Sequence, residues 1–211
     1  MKKYILLATM LLIVGSVRAQ TFLNSDRADL SGAGLPSVTV EAGAALSSTT
    51  GGTNFNTSSL AGFTAGFSFD LPVNTTLAIV PEILYAQKGY SAATPFGNFT
   101  LRSQFIDAPL LAKFRAGSRI NFYAGPQLSY MIASSSKFSS SFSSAAQQNY
   151  DISGSNLLVD GVVGLGINIS HTVELRARYA VDLQGKNTNG NTFVPAYRNQ
   201  ALQMGFGFKL N

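Results

Sequence analysis

Val173-Glu174-Leu175-Arg176-Ala177-Arg178-Tyr179-Ala180-Val181-Asp182-Leu183 alternates almost without a break. Val173, Leu175, Ala177, Tyr179, Val181 and Leu183 share one parity; Glu174, Arg176, Arg178 and Asp182 share the other. A period of two is the signature of a β-strand whose faces meet different surroundings. One face of this strand is fully apolar, and the other carries four charges. The apolar face therefore needs a hydrophobic neighbour, either a protein core or lipid.

The same pattern recurs along the chain. Towards the C-terminus, Leu202, Met204, Phe206, Phe208 and Leu210 alternate with Gln203, Gly205, Gly207 and Lys209. Before it, Leu157, Val159, Val163, Leu165, Ile167 and Ile169 stand against Asp160 and Asn168. Further back, Ile120, Phe122, Ala124, Leu128, Tyr130 and Ile132 oppose Asn121, Tyr123, Gln127 and Ser129. Ile106, Ala108, Leu110, Ala112 and Phe114 oppose Asp107, Lys113 and Arg115. Leu77, Ile79, Pro81, Ile83 and Tyr85 oppose Glu82 and Lys88, with Pro81 an awkward residue for a paired strand. Phe63, Ala65, Phe67, Phe69 and Leu71 oppose Gly62, Thr64, Gly66, Ser68 and Asp70. Val38, Val40, Ala42, Ala44 and Leu46 oppose Thr39, Glu41 and Gly43. Eight such runs, each of the ~9–11 residues needed to cross a bilayer as a tilted strand, predict an all-β fold: an eight-stranded antiparallel up-and-down transmembrane β-barrel.

The connections alternate too. Short links, Pro72-Val73-Asn74, Ala116-Gly117-Ser118 and Ser170-His171, follow the even runs. Long polar links, about 47–57, 91–98, 137–154 and 186–199, follow the odd ones. Short periplasmic turns facing long external loops are the arrangement of outer-membrane barrels.

Composition agrees. Charged residues make up 12% of the chain, about half the usual share, yet no segment past the N-terminus is apolar enough for a spanning helix of ~20 residues. Lys2 and Lys3, the apolar run from Tyr4 to Val14, and Val17-Arg18-Ala19 have the order of a secretory signal peptide. We expect a signal peptide at 1–19, a polar periplasmic tail at 20–36, and the barrel at 37–211. The net charge of +5 falls to +2 without Lys2, Lys3 and Arg18, and no Lys/Arg cluster tracks a phosphate backbone. Nucleic acid is therefore not an expected partner. The absence of cysteine excludes disulfides, thiol chemistry and a lipidated Cys anchor.

Phe105-Ile106-Asp107-Ala108-Pro109-Leu110-Leu111-Ala112-Lys113-Phe114 and Phe122-Tyr123-Ala124-Gly125-Pro126-Gln127-Leu128 resemble the PorT-type outer-membrane β-barrel family common in Bacteroidetes. Tyr85-Ala86-Gln87-Lys88-Gly89-Tyr90 resembles that family's third strand. Asp107 stands where Glu is usual, and Ala108 where Ile is usual. The resemblance covers Pro36 to Asn211 and implies the same barrel. One class of members supports protein secretion, a role the motif does not transfer.

The candidate site is the charged face itself. Glu41, Glu82, Lys88, Asp107, Lys113, Asp160, Glu174, Arg176, Arg178, Asp182 and Lys209 are expected to point inward. There they would form either a paired structural plug or a narrow polar path. An eight-stranded barrel is just wide enough for its own side chains, which favours the plug. His171, the only histidine, sits in a short turn with no Ser-His-acid set around it. Neither a catalytic residue, a cofactor nor a metal site is expected. Ser134-Ser135-Ser136 and Ser139-Ser140-Ser141 through Ser144, with Phe138 and Phe142 interleaved, read as one mobile external loop suited to solvent or to a partner. Gly164 and Gly166 read as small inward residues of a strand. The expected partners are outer-membrane lipid and a protein or surface met by the external loops. Two alternatives remain: a narrow transport or secretion-assisting barrel, and a soluble lipocalin-like ligand-binding barrel with apolar faces turned inward.

Overall fold

The computed structural model describes residues 35–50, 57–94, 97–140, 143–149, 157–183 and 198–210. The expected signal peptide, and all of the expected tail except Leu35 and Pro36, lie outside them. The described residues form β1 (Ser37–Thr50), β2 (Thr57–Pro72), β3 (Leu77–Thr94), β4 (Gly97–Ala116), β5 (Ile120–Ser140), β6 (Ser143–Asn149), β7 (Leu157–Asn168), β8 (Val173–Asp182) and β9 (Arg198–Leu210). Strands β1-β2-β3-β4-β5-β7-β8-β9 pair in that order, all antiparallel, and β9 returns to β1. The ring therefore has eight strands and no open edge, the condition for placing backbone in hydrocarbon. The short β6 pairs with β5 outside the ring.

The parity read from the sequence is the parity of the wall. Phe63, Phe67, Leu110, Phe122, Leu128, Val163, Met204, Phe206 and Phe208 are exposed on the outside. Glu41, Glu82, Asp107, Lys113, Glu174 and Arg176 are buried inside. A lipocalin has the opposite arrangement, so the soluble alternative is overturned: in water this outer surface would be one continuous apolar patch. Pro81 is accommodated within β3, opposite Leu110 of β4.

Each of the three short turns has a local cause. Asn74 Oδ1 accepts hydrogen bonds from the backbone N–H of Thr76 (2.8 Å) and Leu77 (2.7 Å), closing the β2–β3 turn. Ser170 Oγ accepts from Val173 N–H (3.0 Å) before β8. Gly117 holds a φ of +75° in the β4–β5 turn, a conformation open to glycine.

At the other end the strands run further than the sequence suggests. The expected loop at 91–98 is largely ladder, since β3 and β4 stay paired up to Thr94 and Gly97. The Ser-rich stretch expected as a loop is strand as well. β5 continues to Ser140, paired with β4 as far as Asn98↔Ser139, and β6 folds back along it. The reason is physical. Beyond the apolar belt the outward face meets water and turns polar, while the buried inward face carries small polar side chains such as Ser103 and Ser136, so the alternation of hydropathy fades while the hydrogen-bond ladder continues. Ser139, Ser140 and Ser143 are in strands; Ser141 and Phe142 lie outside the described residues.

Candidate functional site

Ten of the eleven expected interior residues are buried inside the ring; Lys209 is half-buried. Gly166 of β7 leaves room for Glu174 and Tyr123: a Cβ there would overlap the Glu174 carboxylate and lie 2.9 Å from the Tyr123 ring. Other glycines let neighbouring strands approach. Gly43 and Gly205 face each other across β1 and β9. A Cβ on Gly205 would lie 2.4 Å from the Ala42 carbonyl oxygen and 2.7 Å from Gly43 Cα.

The middle of the interior is built by β8. Its alternation aims Glu174, Arg176 and Arg178 inward, where they meet carboxylates from β1 and β3. Arg178 pairs with both Glu41 and Glu82. Arg176 pairs with Glu41, reaches Glu174 at 2.9 Å and Glu82 at 3.4 Å, and donates to Ser68 Oγ at 3.2 Å. Glu174 also accepts from Asn121 Nδ2 (2.6 Å) and from the Tyr123 hydroxyl (2.7 Å). The Arg176 guanidinium lies 5.1 Å from the centre of the Tyr123 ring. Two guanidiniums thus hold three carboxylates together from strands on opposite sides of the barrel. Their forked donors suit such shared pairing better than an ammonium would.

Nearer the short turns, Asp70 binds Lys113 Nζ at 2.7 Å and Arg115 Nη2 at 2.8 Å. Towards the opposite end, Lys88 Nζ lies 2.8 Å from Asp107 and 3.7 Å from Asp160, and 4.9 Å from the centre of the Phe105 ring. Asp160 accepts from Ser129 Oγ (2.5 Å) and Gln127 Nε2 (2.7 Å). Asp182, its partner across β7 and β8, is held by the backbone N–H and side-chain amide of Asn199 at 3.0 and 2.8 Å. Lys209 makes no ion pair within 4 Å among the described residues, but it lies within electrostatic range of Glu174 and Asp70 at the edge of this network.

Asp70, Arg115, Asn121, Tyr123, Gln127 and Ser129 belong to these clusters but are absent from the set expected from charge and parity alone. Their signal was present, since each shares the parity of the charged face. Only the closed ring shows that β2 and β4, or β5 and β8, converge. His171 is exposed in its turn, and the described residues hold no group of His, Cys, Asp and Glu suited to a metal.

The packing leaves little space. The interior holds cavities of about 10 and 20 Å³ beside Arg176 and Arg178, each about the room of one water molecule. A through-passage would have to break ion pairs that cross the lumen.

A closed eight-stranded ring, an apolar outer belt and a charged interior together describe a protein of the outer membrane. Residues 32–185 match the outer membrane protein beta-barrel domain. The chain belongs to that family. Among solved structures it is similar to Ail, the attachment invasion locus protein of Yersinia pestis. The identity is 14% and the TM-score 0.53, over 82% of this chain and 98% of that one. It is also similar to Neisserial surface protein A (21% identity, 85% and 99% coverage, TM-score 0.49). OprG of Pseudomonas aeruginosa is a third (11%, 86% and 99%, 0.43). At these identities the likeness to Ail is one of fold. No curated protein sequence matches the chain. As a family member with this geometry, it is an outer-membrane β-barrel protein.

Proposed function

We propose that the barrel is a closed anchor that carries a rigid polar sheet outside the cell, and that this sheet makes the protein's contacts. One observation carries the reading: ion pairs from β1, β3 and β8 meet across the lumen and fill it. The upper parts of β3, β4 and β5, with β6, supply the display surface, rich in Ser, Thr, Asn and Gln. Loops and sheets on rigid scaffolds are the usual carriers of recognition. We assign no catalytic role. The finer likeness to PorT-type barrels, and cleavage after Ala19, belong to the same proposal.

Orientation is tested by labelling intact cells. The chain has no cysteine, so Asn98→Cys at the top of β4 and Ser170→Cys in a short turn each give one reporter. A membrane-impermeant maleimide should label Asn98→Cys in whole cells and Ser170→Cys only after lysis. The reverse pattern would overturn the reading.

A further inference from the structure

All seven carboxylates of the described residues, Glu41, Asp70, Glu82, Asp107, Asp160, Glu174 and Asp182, are buried within the ring. The exposed charges among the described residues are cationic: Arg102, Arg119, Lys137 and Arg198. Among the described residues, the exposed surface of the barrel is thus positive wherever it is charged.

Two of these cations lie close together at a defined height. Tyr85, Ile106 and Tyr130 form one cross-strand row over β3, β4 and β5, on the outward face. Tyrosines at this level lie close to the edge of the apolar belt, which on β5 reaches one outward position further, to Ile132. Arg102 is four residues beyond Ile106 on β4, opposite Ser135 of β5. Lys137 is the next outward position on β5, opposite Thr100. Arg102 and Lys137 are therefore diagonal neighbours, with Cα atoms roughly 7–8 Å apart. Four residues of tilted strand raise Arg102 about 10 Å above the tyrosine row. The polar zone of a leaflet is about 6 Å deep. A long cationic side chain reaches back into it along the wall. Gln87 accepts from Arg102 Nη1 at 3.2 Å and so holds the guanidinium against the β3–β4 surface.

The geometry points to Arg102 and Lys137 as a binding site for the phosphate group of a lipid headgroup in the outer leaflet. Charge segregation supplies the sign, and the tyrosine row supplies the depth. The diagonal spacing lets one phosphate meet both cations, the guanidinium with its paired donors and the ammonium as a point charge. Arg119, in the β4–β5 turn at the other end, is the natural control. This inference rests on the orientation proposed above. The maleimide experiment tests that orientation without touching either cation, so the two fail separately.

The test uses the refolded full-length barrel in detergent, titrated with bisphosphorylated lipid A, with the same lipid stripped of phosphate, and with inorganic phosphate, and read by native mass spectrometry. The wild type should prefer the phosphorylated lipid. Replacing Arg102 or Lys137 by Gln should cost about fivefold each, and both together roughly thirtyfold. Arg119→Gln should change nothing, and Arg102→Lys with Lys137→Arg should retain binding. A heat-dependent gel shift confirms that each variant is folded. Equal binding by the double Gln variant, or an equal loss in Arg119→Gln, would overturn the site. Displacement of the lipid by equimolar inorganic phosphate would assign the site to the free ion and overturn the lipid assignment.

Discussion

Arg176→Met removes the residue that touches most of the interior. Arg176 pairs with Glu41, Glu174 and Glu82, donates to Ser68 and lies over Tyr123. Without it, Arg178 alone faces Glu41 and Glu82, and Glu174 keeps only the neutral donors Asn121 and Tyr123. Methionine fills a similar volume, so the loss is chiefly of charge compensation. Breaking a buried pair by removing one partner costs about 3–5 kcal/mol. Arg176 serves three carboxylates, but Arg178 still covers two of them, so the penalty should stay within that range, at about 4 kcal/mol. A second change, Glu174→Gln, removes the carboxylate left without its paired cation and should restore about 1–3 kcal/mol, the coupling expected of residues in one network. The assay is equilibrium urea unfolding in lipid vesicles, followed by far-ultraviolet circular dichroism because the chain has no tryptophan, with linear extrapolation. An Arg176→Met barrel within 1 kcal/mol of the wild type would refute the claim that these ion pairs hold the interior together. So would additive effects of the two changes.

Four further outcomes follow from the wall and its turns. Gly205→Ala sets a Cβ against the Ala42 carbonyl and Gly43 Cα and should prevent closure of β1 on β9, seen as loss of the heat-dependent gel shift. Gly161→Ala, where the nearest atom is a Leu183 methyl group at 3.4 Å, should keep it. Phe122→Arg puts a charge on the lipid face and should destabilise the barrel by about 2–4 kcal/mol in vesicle unfolding. Exposed His171 should tolerate Ala within about 0.5 kcal/mol in the same assay.

The sequence announces the wall more clearly than what the wall encloses. Alternation from Val173 to Leu183 sets both faces of β8, and the same parity holds around the ring, because lipid outside and charge inside impose opposite demands on adjacent residues. Where that contrast ends, the signal ends. Ser134 to Ser140 are polar at every position but Phe138, so they carry no alternation and read as loop although β4 and β6 pair with them. Parity names candidates for the interior, not partners. Glu41 and Arg178 are 137 residues apart, and their pairing depends on the curvature that closes β1 against β9 and brings β8 within reach. Lys209 shows the converse: right parity, but a position near the end of β9 where, among the described residues, no carboxylate lies within 4 Å.

Single-channel recording tests the central claim most directly. The refolded protein, inserted in a planar bilayer, should show no conductance steps above the lipid background, because Arg176 and Arg178 tie Glu41, Glu82 and Glu174 across the lumen. Stable steps in the wild type at neutral pH would contradict this account and make the charged interior a path rather than a plug.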